Sequence, residues 1–467
     1  MSENINKLRS VRNKFTNWIS ITNYFNRWIV LGIILGVVAG LGAVLFYNAL
    51  VLTTDIFLGY FANYKIPTPF SEGNSLGDSF YTRVWILPLV VAAGGLISGL
   101  IVYFVAPEAE GHGTDAAIEA VHHNPKGVGA KVIIAKILAS AFMIGSGGSG
   151  GREGPSAQIS AGIGSIIARF FRLSDRDSKI AVSIGIGAGI GSIFGAPFGG
   201  AVLSGEILYK DDIDGTVLLP SLLASIVGFI VFGLFEGYQP LFGFQAESYH
   251  FDAGMGIIWF ALLGVICAGI GILYSKTFYK FTDVSKSIKL PIYIKTLIGG
   301  LLVGLIAMFI PEVLGTGYGW IQKVLNYHQL QTIPIAVLIF LPILRILVTS
   351  LSIGSGGSGG IFGPGMVIGA FTGASFWAVL NHIVSVDPHN PAPFVVIGML
   401  ACFGSVARAP IAVTLMVLEM TGTITVLAPA VIAIGVASFI VKKFDVTIYL
   451  SQLQNRQTPT NKLSEKN

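Results

Sequence analysis

Residues 145–155 read GSGGSGGREGP, and residues 354–364 read GSGGSGGIFGP. Nine of the eleven positions are identical, and the two that differ exchange Arg152-Glu153 for Ile361-Phe362. Each copy ends with a proline after a glycine, which suits the first turn of a helix. Each is flanked by apolar sequence. Two such loops in one chain require a fold that uses the same backbone scaffold twice and charges it only once.

The copies belong to a longer duplication. Pro107-Glu108-x-x-Gly111-x-Gly113 recurs as Pro311-Glu312-x-x-Gly315-x-Gly317, a shift of 204 residues. The loops recur at a shift of 209. Ala188, Gly191, Ser192, Ala196, Pro197 and Glu206 recur as Ala401, Gly404, Ser405, Ala409, Pro410 and Glu419, a shift of 213. Three ordered matches with a slowly drifting offset place one repeat at about 29–215 and the next at about 250–450. Duplicated halves mark transporter folds, whose binding site lies at the repeat interface near mid-membrane.

The setting is a membrane. Only 11% of residues are charged, against about 25% in a soluble domain. Residues 28–54, 84–107, 180–205, 253–275, 346–386 and 420–441 are uncharged apart from His382, and each run exceeds the roughly 18 residues of a spanning helix. Shorter runs at 137–151, 154–168 and 296–311 fit broken or re-entrant segments buried in protein. The expected fold is an all-α polytopic membrane protein of tilted and broken helices. The run at 180–205 contains GIGAGIGS, which superficially resembles a dinucleotide fingerprint. It lacks the strand-turn-helix setting, and close helix packing through small residues explains it.

The net charge of +5 is not a nucleic-acid signal, because the bases sit at the two ends. Lys7, Arg9, Arg12, Lys14 and Arg27 stand near one end, and Lys442, Lys443, Arg456, Lys462 and Lys466 near the other. The positive-inside tendency puts both ends in the cytoplasm, where they suit anionic lipid. The start is too basic and polar for a cleaved signal peptide, so the cell membrane is the expected site. Cys267 and Cys402 lie in apolar runs as free thiols, and no metal-ligand spacing or cofactor motif is present. His122, His123 and Glu119 fit no zinc pattern, so an intramembrane enzyme is not expected.

The loops themselves have chemistry. A glycine-rich turn exposes successive backbone N–H groups, and a helix starting there adds a partial positive charge. Such a site binds anions without a lysine, loosely enough for release. Neither copy has the Gly-Lys-Ser/Thr ending of a phosphate loop. Glu153 is an ionisable residue at membrane depth, a functional candidate by default. As a carboxylate it can take the anion's place, and on protonation it can leave, acting as gate and proton carrier. Arg152 is expected to face water or to pair with an acid.

With these residues in view, the chain from about 28 to 450 resembles the CLC chloride channels and chloride/proton antiporters. Gly151-Arg152-Glu153-Gly154-Pro155 matches that family's gating-glutamate motif. Gly360-Ile361-Phe362-Gly363-Pro364 is similar to its second anion-binding motif. Lys136, Ala196-Pro197, Arg408-Ala409-Pro410 and Leu418-Glu419-Met420 also resemble family counterparts. Tyr449 falls where the family's pore tyrosine stands. The resemblance implies inverted halves, a homodimer and one anion pathway per subunit. Its expected binders of chloride or a similar small anion are His112, Gly154, Ile361, Phe362 and Tyr449, with Glu153 as gate.

Two positions depart from the family pattern. His112, in Gly111-His112-Gly113-Thr114-Asp115, replaces the family's anion-ligating serine. Its imidazole can still donate one N–H, or two when protonated. In the inner proton-relay region, coupled members carry an acid one residue after the position of Glu206, and here that residue is Ile207. Conduction that is channel-like or weakly proton-coupled is therefore expected ahead of stoichiometric chloride/proton antiport. A cation-coupled carrier of an organic solute is the distant alternative. The expected organisation is an N-terminal cytoplasmic segment at 1–28, a transmembrane domain at 29–450 and a polar tail at 451–467, without the nucleotide-binding CBS domains of eukaryotic members.

Overall fold

Glycine and proline decide where this apolar chain is helical and where it breaks. A computed structural model describes residues 22–77, 82–243, 254–384 and 390–458. Trp18 and the basic residues Lys7 to Lys14, Lys462 and Lys466 lie outside the described residues.

The first half contains α1 (Tyr24–Thr54), α2 (Leu87–Phe104), α3 (Thr114–His122), α4 (Ala130–Gly145), α5 (Glu153–Phe170), α6 (Asp175–Phe194), α7 (Pro197–Glu206) and α8 (Gly215–Glu236). The second contains α9 (Met255–Ser287), α10 (Ile292–Ala307), α11 (Tyr318–Leu325), α12 (Tyr327–Leu330), α13 (Ile335–Ser352), α14 (Phe362–Val384), α15 (Ala392–Val406), α16 (Pro410–Thr421) and α17 (Leu427–Lys443). Seven helical stretches among the described residues are long and apolar enough to cross a membrane.

Two of the long uncharged runs are not single helices. The run at 180–205 breaks after Phe194, where Gly195 turns left-handed at φ +63° and Pro197 begins α7. The run at 346–386 divides between α13 and α14 at the second glycine-rich loop. A further crossing-length helix, α8, stands outside those runs although it carries no charge before Glu236.

The halves pack alike. α1 lies on α8 as α9 lies on α17, α5 on α6 as α14 on α15, and α6 on α8 as α15 on α17. The halves are joined mainly by α2 with α10 and α7 with α16, with slighter contacts of α5 on α14 and α6 on α16. The α2–α10 crossing is close because a Cβ at Gly95 would strike the Thr296 carbonyl, and one at Gly300 the Val91 carbonyl. Small residues permit such approach in a membrane.

At the α7–α16 junction each half completes the other. The Glu206 carboxylate accepts the Ile411 and Ala412 N–H groups of α16, at 3.1 and 2.6 Å. The Glu419 carboxylate accepts the Phe198 and Gly199 N–H groups of α7, at 3.0 and 2.7 Å. All three matched positions keep the shift of 213. The first N–H groups of a helix have no intrahelical partner, and a carboxylate also meets the dipole there.

Buried cations hold the loops that precede α3 and α11. Lys136 Nζ donates to the carbonyls of Ala109 and Gly111, at 3.1 and 2.8 Å. Arg345, at the matching place on α13, donates to those of Val313 and Gly315, both at 2.5 Å. Residues 453–458 dock on the segment after α7, with Lys210 N–H on the Leu453 carbonyl at 2.8 Å and Arg456 Nε on Asp212 at 2.9 Å. The Arg456 hydrogen bond holds the Asp212 carboxyl below the usual carboxylate range.

Candidate anion site

The two glycine-rich loops meet at the centre of the fold. Gly151 N–H donates to the Gly360 carbonyl and Gly360 N–H to the Gly151 carbonyl, both at 2.7 Å. Around this exchange Ser149 Oγ pairs with Thr349 Oγ1 at 2.8 Å, and Ser358 Oγ with Ser140 Oγ at 2.9 Å. These are again matched positions, now at the shift of 209. α5 and α14 both start from this knot, at Glu153 and Phe362.

Glu153 crosses from its own loop to the other. Its carboxylate accepts the Gly363 N–H at 2.8 Å, and the Phe362 N–H also meets it. Tyr318 OH donates to its second oxygen at 3.3 Å. The side chain is 2% exposed. It therefore sits on the first N–H groups of α14, where the partial positive charge of a helix start is strongest.

The neighbouring peptide is held in place from behind. Tyr274 OH donates to the Ile361 carbonyl at 2.8 Å. In a planar trans peptide the C=O and the following N–H point in opposite directions. Tyr274 thus turns the Phe362 N–H toward Glu153. Ile361 contributes this carbonyl and is itself fully buried. Gly154 lies in the first turn of α5, where a Cβ would strike the His112 carbonyl. The Phe362 ring stands 4.5 Å from that of Phe403 and 5.8 Å from that of Phe194.

Arg152 pairs with an acid and is shielded from water. Its Nη1 lies 2.6 Å from Glu72 Oε1, and its guanidinium faces the rings of Tyr318, Tyr47 and Phe194 at 5.1, 5.4 and 5.5 Å. Arg152 and Glu72 line a cavity of about 400 Å³ together with Asp55 and Lys65. Glu72, Tyr318 and Tyr274 belong to no motif, and their spacing in the sequence gave no sign of a shared site.

His112 and Tyr449 come together as neighbours, with ring centres 5.8 Å apart. His112 Nε2 is 3.2 Å from Asp115 Oδ2. Asp115 also accepts the N–H groups of Leu450 and Ser451, at 3.3 and 3.1 Å, and so ties the Tyr449 segment to α3.

The inner proton-relay candidates sit differently. Both Glu206 oxygens are occupied by the N-terminus of α16. Ile207 is 1% exposed and packed in the apolar core. Its carbonyl accepts Gln452 Nε2 at 3.0 Å, and the same amide donates to the Ala407 carbonyl at 3.0 Å.

Relatives agree with this architecture. Residues 94–442 match the sequence model described as voltage gated chloride channel. An uncharacterized protein of Methanocaldococcus jannaschii is 30% identical over 413 residues, 88% of this chain and 92% of that protein. An H(+)/Cl(-) exchange transporter of Vibrio campbellii is 28% identical over 394 residues, 81% of this chain and 82% of the transporter. The crystal structure of a slow cyanobacterial Cl-/H+ antiporter has the same fold, with a TM-score of 0.77 at 21% identity over 94% of this chain and 99% of that one. The chain belongs to the voltage-gated chloride channel, or CLC, family. It is an integral membrane protein of anion transport, in a family of transporters and not of enzymes.

Proposed function

We propose that the chain passes chloride or a similar small anion along a path through the two loops, with Glu153 as its gate. One observation carries this reading. The Glu153 carboxylate rests on the Gly363 N–H at 2.8 Å, at the start of α14. A free anion and this carboxylate compete for the same backbone donors. Protonation removes the carboxylate's charge and its claim on them. Among the described residues no full positive charge pairs with the carboxylate there, so an anion that replaces it is held weakly enough to move on.

The anion's ligands are the backbone at Phe362, Ile361 and Gly154, the Tyr449 hydroxyl, and His112. Conduction that is channel-like or weakly proton-coupled is favoured, because Ile207 is apolar and the Glu206 oxygens are engaged by α16. Stoichiometric chloride/proton exchange is the second reading, favoured by the exchange transporter among the relatives. The working unit is a homodimer in the cell membrane with both termini cytoplasmic, each subunit carrying its own path.

Reconstitution in liposomes under a chloride gradient, with chloride release and proton uptake recorded together, tests the reading. Absence of anion flux refutes it. Uphill proton movement establishes the antiporter. Glu153→Ala should give flux that no longer depends on pH and moves no protons. Coupled, pH-dependent flux in that variant removes Glu153 as gate.

A further inference from the structure

We propose that His112 and Asp115 form an anion-linked proton site, so that an anion reaching Tyr449 binds together with a proton on the imidazole. The proposal rests on the anion-transport reading above and adds a second protonation event, separate from the gate.

The argument starts from donors and acceptors. Asp115 Oδ2 faces His112 Nε2 at 3.2 Å and lies 3.3 Å from the Tyr279 hydroxyl, whose hydrogen goes to the Ile448 carbonyl at 2.7 Å. The same carboxylate accepts the Leu450 and Ser451 N–H groups and lies in the first turn of α3. Held by these two N–H donors at a helix start, it serves as an acceptor. Nε2 must therefore carry a hydrogen, and a neutral ring then presents a lone pair at Nδ1. Nδ1 is buried and has no partner among the described residues. A buried polar atom left unpaired calls for an explanation, such as a ligand.

A lone pair repels an anion, whereas an N–H attracts one. An anion beside Nδ1 and Tyr449 thus draws a second proton onto the ring. The proton comes from water, adds to Nδ1, and leaves a cation whose charge Asp115 balances. Without that proton, Asp115 alone makes the pocket negative.

The groups that face the ring leave this role to His112. Asp115 stands in the first turn of α3, which begins just after His112, Tyr279 on α9 approaches Nε2 at 3.5 Å, and Phe278 closes one side at 6.3 Å. Tyr449 faces the ring from the C-terminal segment. Lys136 on α4, with Glu110 nearby, is occupied by the Ala109 and Gly111 carbonyls. Where an apolar Ile207 stands in the inner relay, His112 supplies a protonatable group beside the anion itself.

Calorimetric titration of chloride into the full-length protein, in two buffers of different ionisation enthalpy, measures protons taken up per anion. The Glu153→Gln background removes any contribution from the gate. Uptake of up to about one proton per chloride is expected, with affinity falling by up to about tenfold per pH unit where that uptake is complete. Adding His112→Ser or His112→Gln should abolish the uptake while chloride still binds. Equal uptake with and without His112, or none in the Glu153→Gln protein, overturns the proposal. A Glu153→Gln protein that binds no chloride at any pH refutes the anion path, and the proton site with it.

Discussion

Tyr318→Phe isolates one hydrogen bond of the closed gate. The tyrosine hydroxyl donates to Glu153 at 3.3 Å, longer than a good O–H···O bond but directed at a charged acceptor. Such a bond is worth about 1 kcal/mol, the low end for charged partners once its length is discounted. Phenylalanine keeps the ring that faces Arg152 and Phe194 at 5.1 and 6.1 Å. Only closure is therefore weakened. About 1 kcal/mol is about a fivefold change in the open-to-closed ratio. Docking and protonation compete for one carboxylate, so weaker docking lets protons open the gate at higher pH. The half-activation point should move alkaline by about 0.7 pH unit, since one unit corresponds to about 1.36 kcal/mol. Chloride efflux from liposomes between pH 5 and 8 reads both effects. An acid shift, or an unmoved profile with unchanged neutral flux, would refute the docked-carboxylate gate.

Other consequences are equally open to measurement. Glu206→Ala and Glu419→Ala should each lower stability by about 2–3 kcal/mol, because each loses charge-assisted bonds to two helix N–H groups, and denaturation in detergent should find the two losses similar. Glu206→Gln should keep the pH dependence of flux; if that dependence disappears, Glu206 is a proton relay after all. The depressed Asp212 carboxyl contributes its docking energy above the ordinary carboxylate range and loses it only as pH falls through the lower folded value. Hydrogen exchange of residues 453–458 should therefore be protected throughout pH 5–8 after correction for intrinsic rates, and loosening near pH 6 would contradict this.

The duplication was legible in the sequence because it preserves spacing, and the matched residues do meet matched partners. The same logic put a site at the repeat interface, but not the docking of Glu153 on the Gly363 N–H. Other features were hidden for physical reasons. Apolar composition registers depth in the membrane, not continuity, so the break at Gly195 vanishes inside a long uncharged run. Asp115 is three residues from His112, but His112 precedes α3 and left-handed Gly113 stands between them, so helical spacing does not link the pair. Tyr279, Tyr274 and Glu72 reach the site from distant elements, and no local pattern announces a tyrosine hydroxyl that will hold one carbonyl. Glu206 shows the reverse case. Its acid character was visible, but its use as a helix cap depends on α16, more than two hundred residues later.

That exchange of caps has a consequence for how the protein is made. Phe198 and Gly199 leave the ribosome well before Glu419 exists. Until then the start of α7 has bare N–H groups, which hydrocarbon does not tolerate. The first half cannot settle into the bilayer in its final form while the second is still being translated. A chain cut short between the repeats would yield an unfinished helix end for quality control to remove, and not half of an anion path.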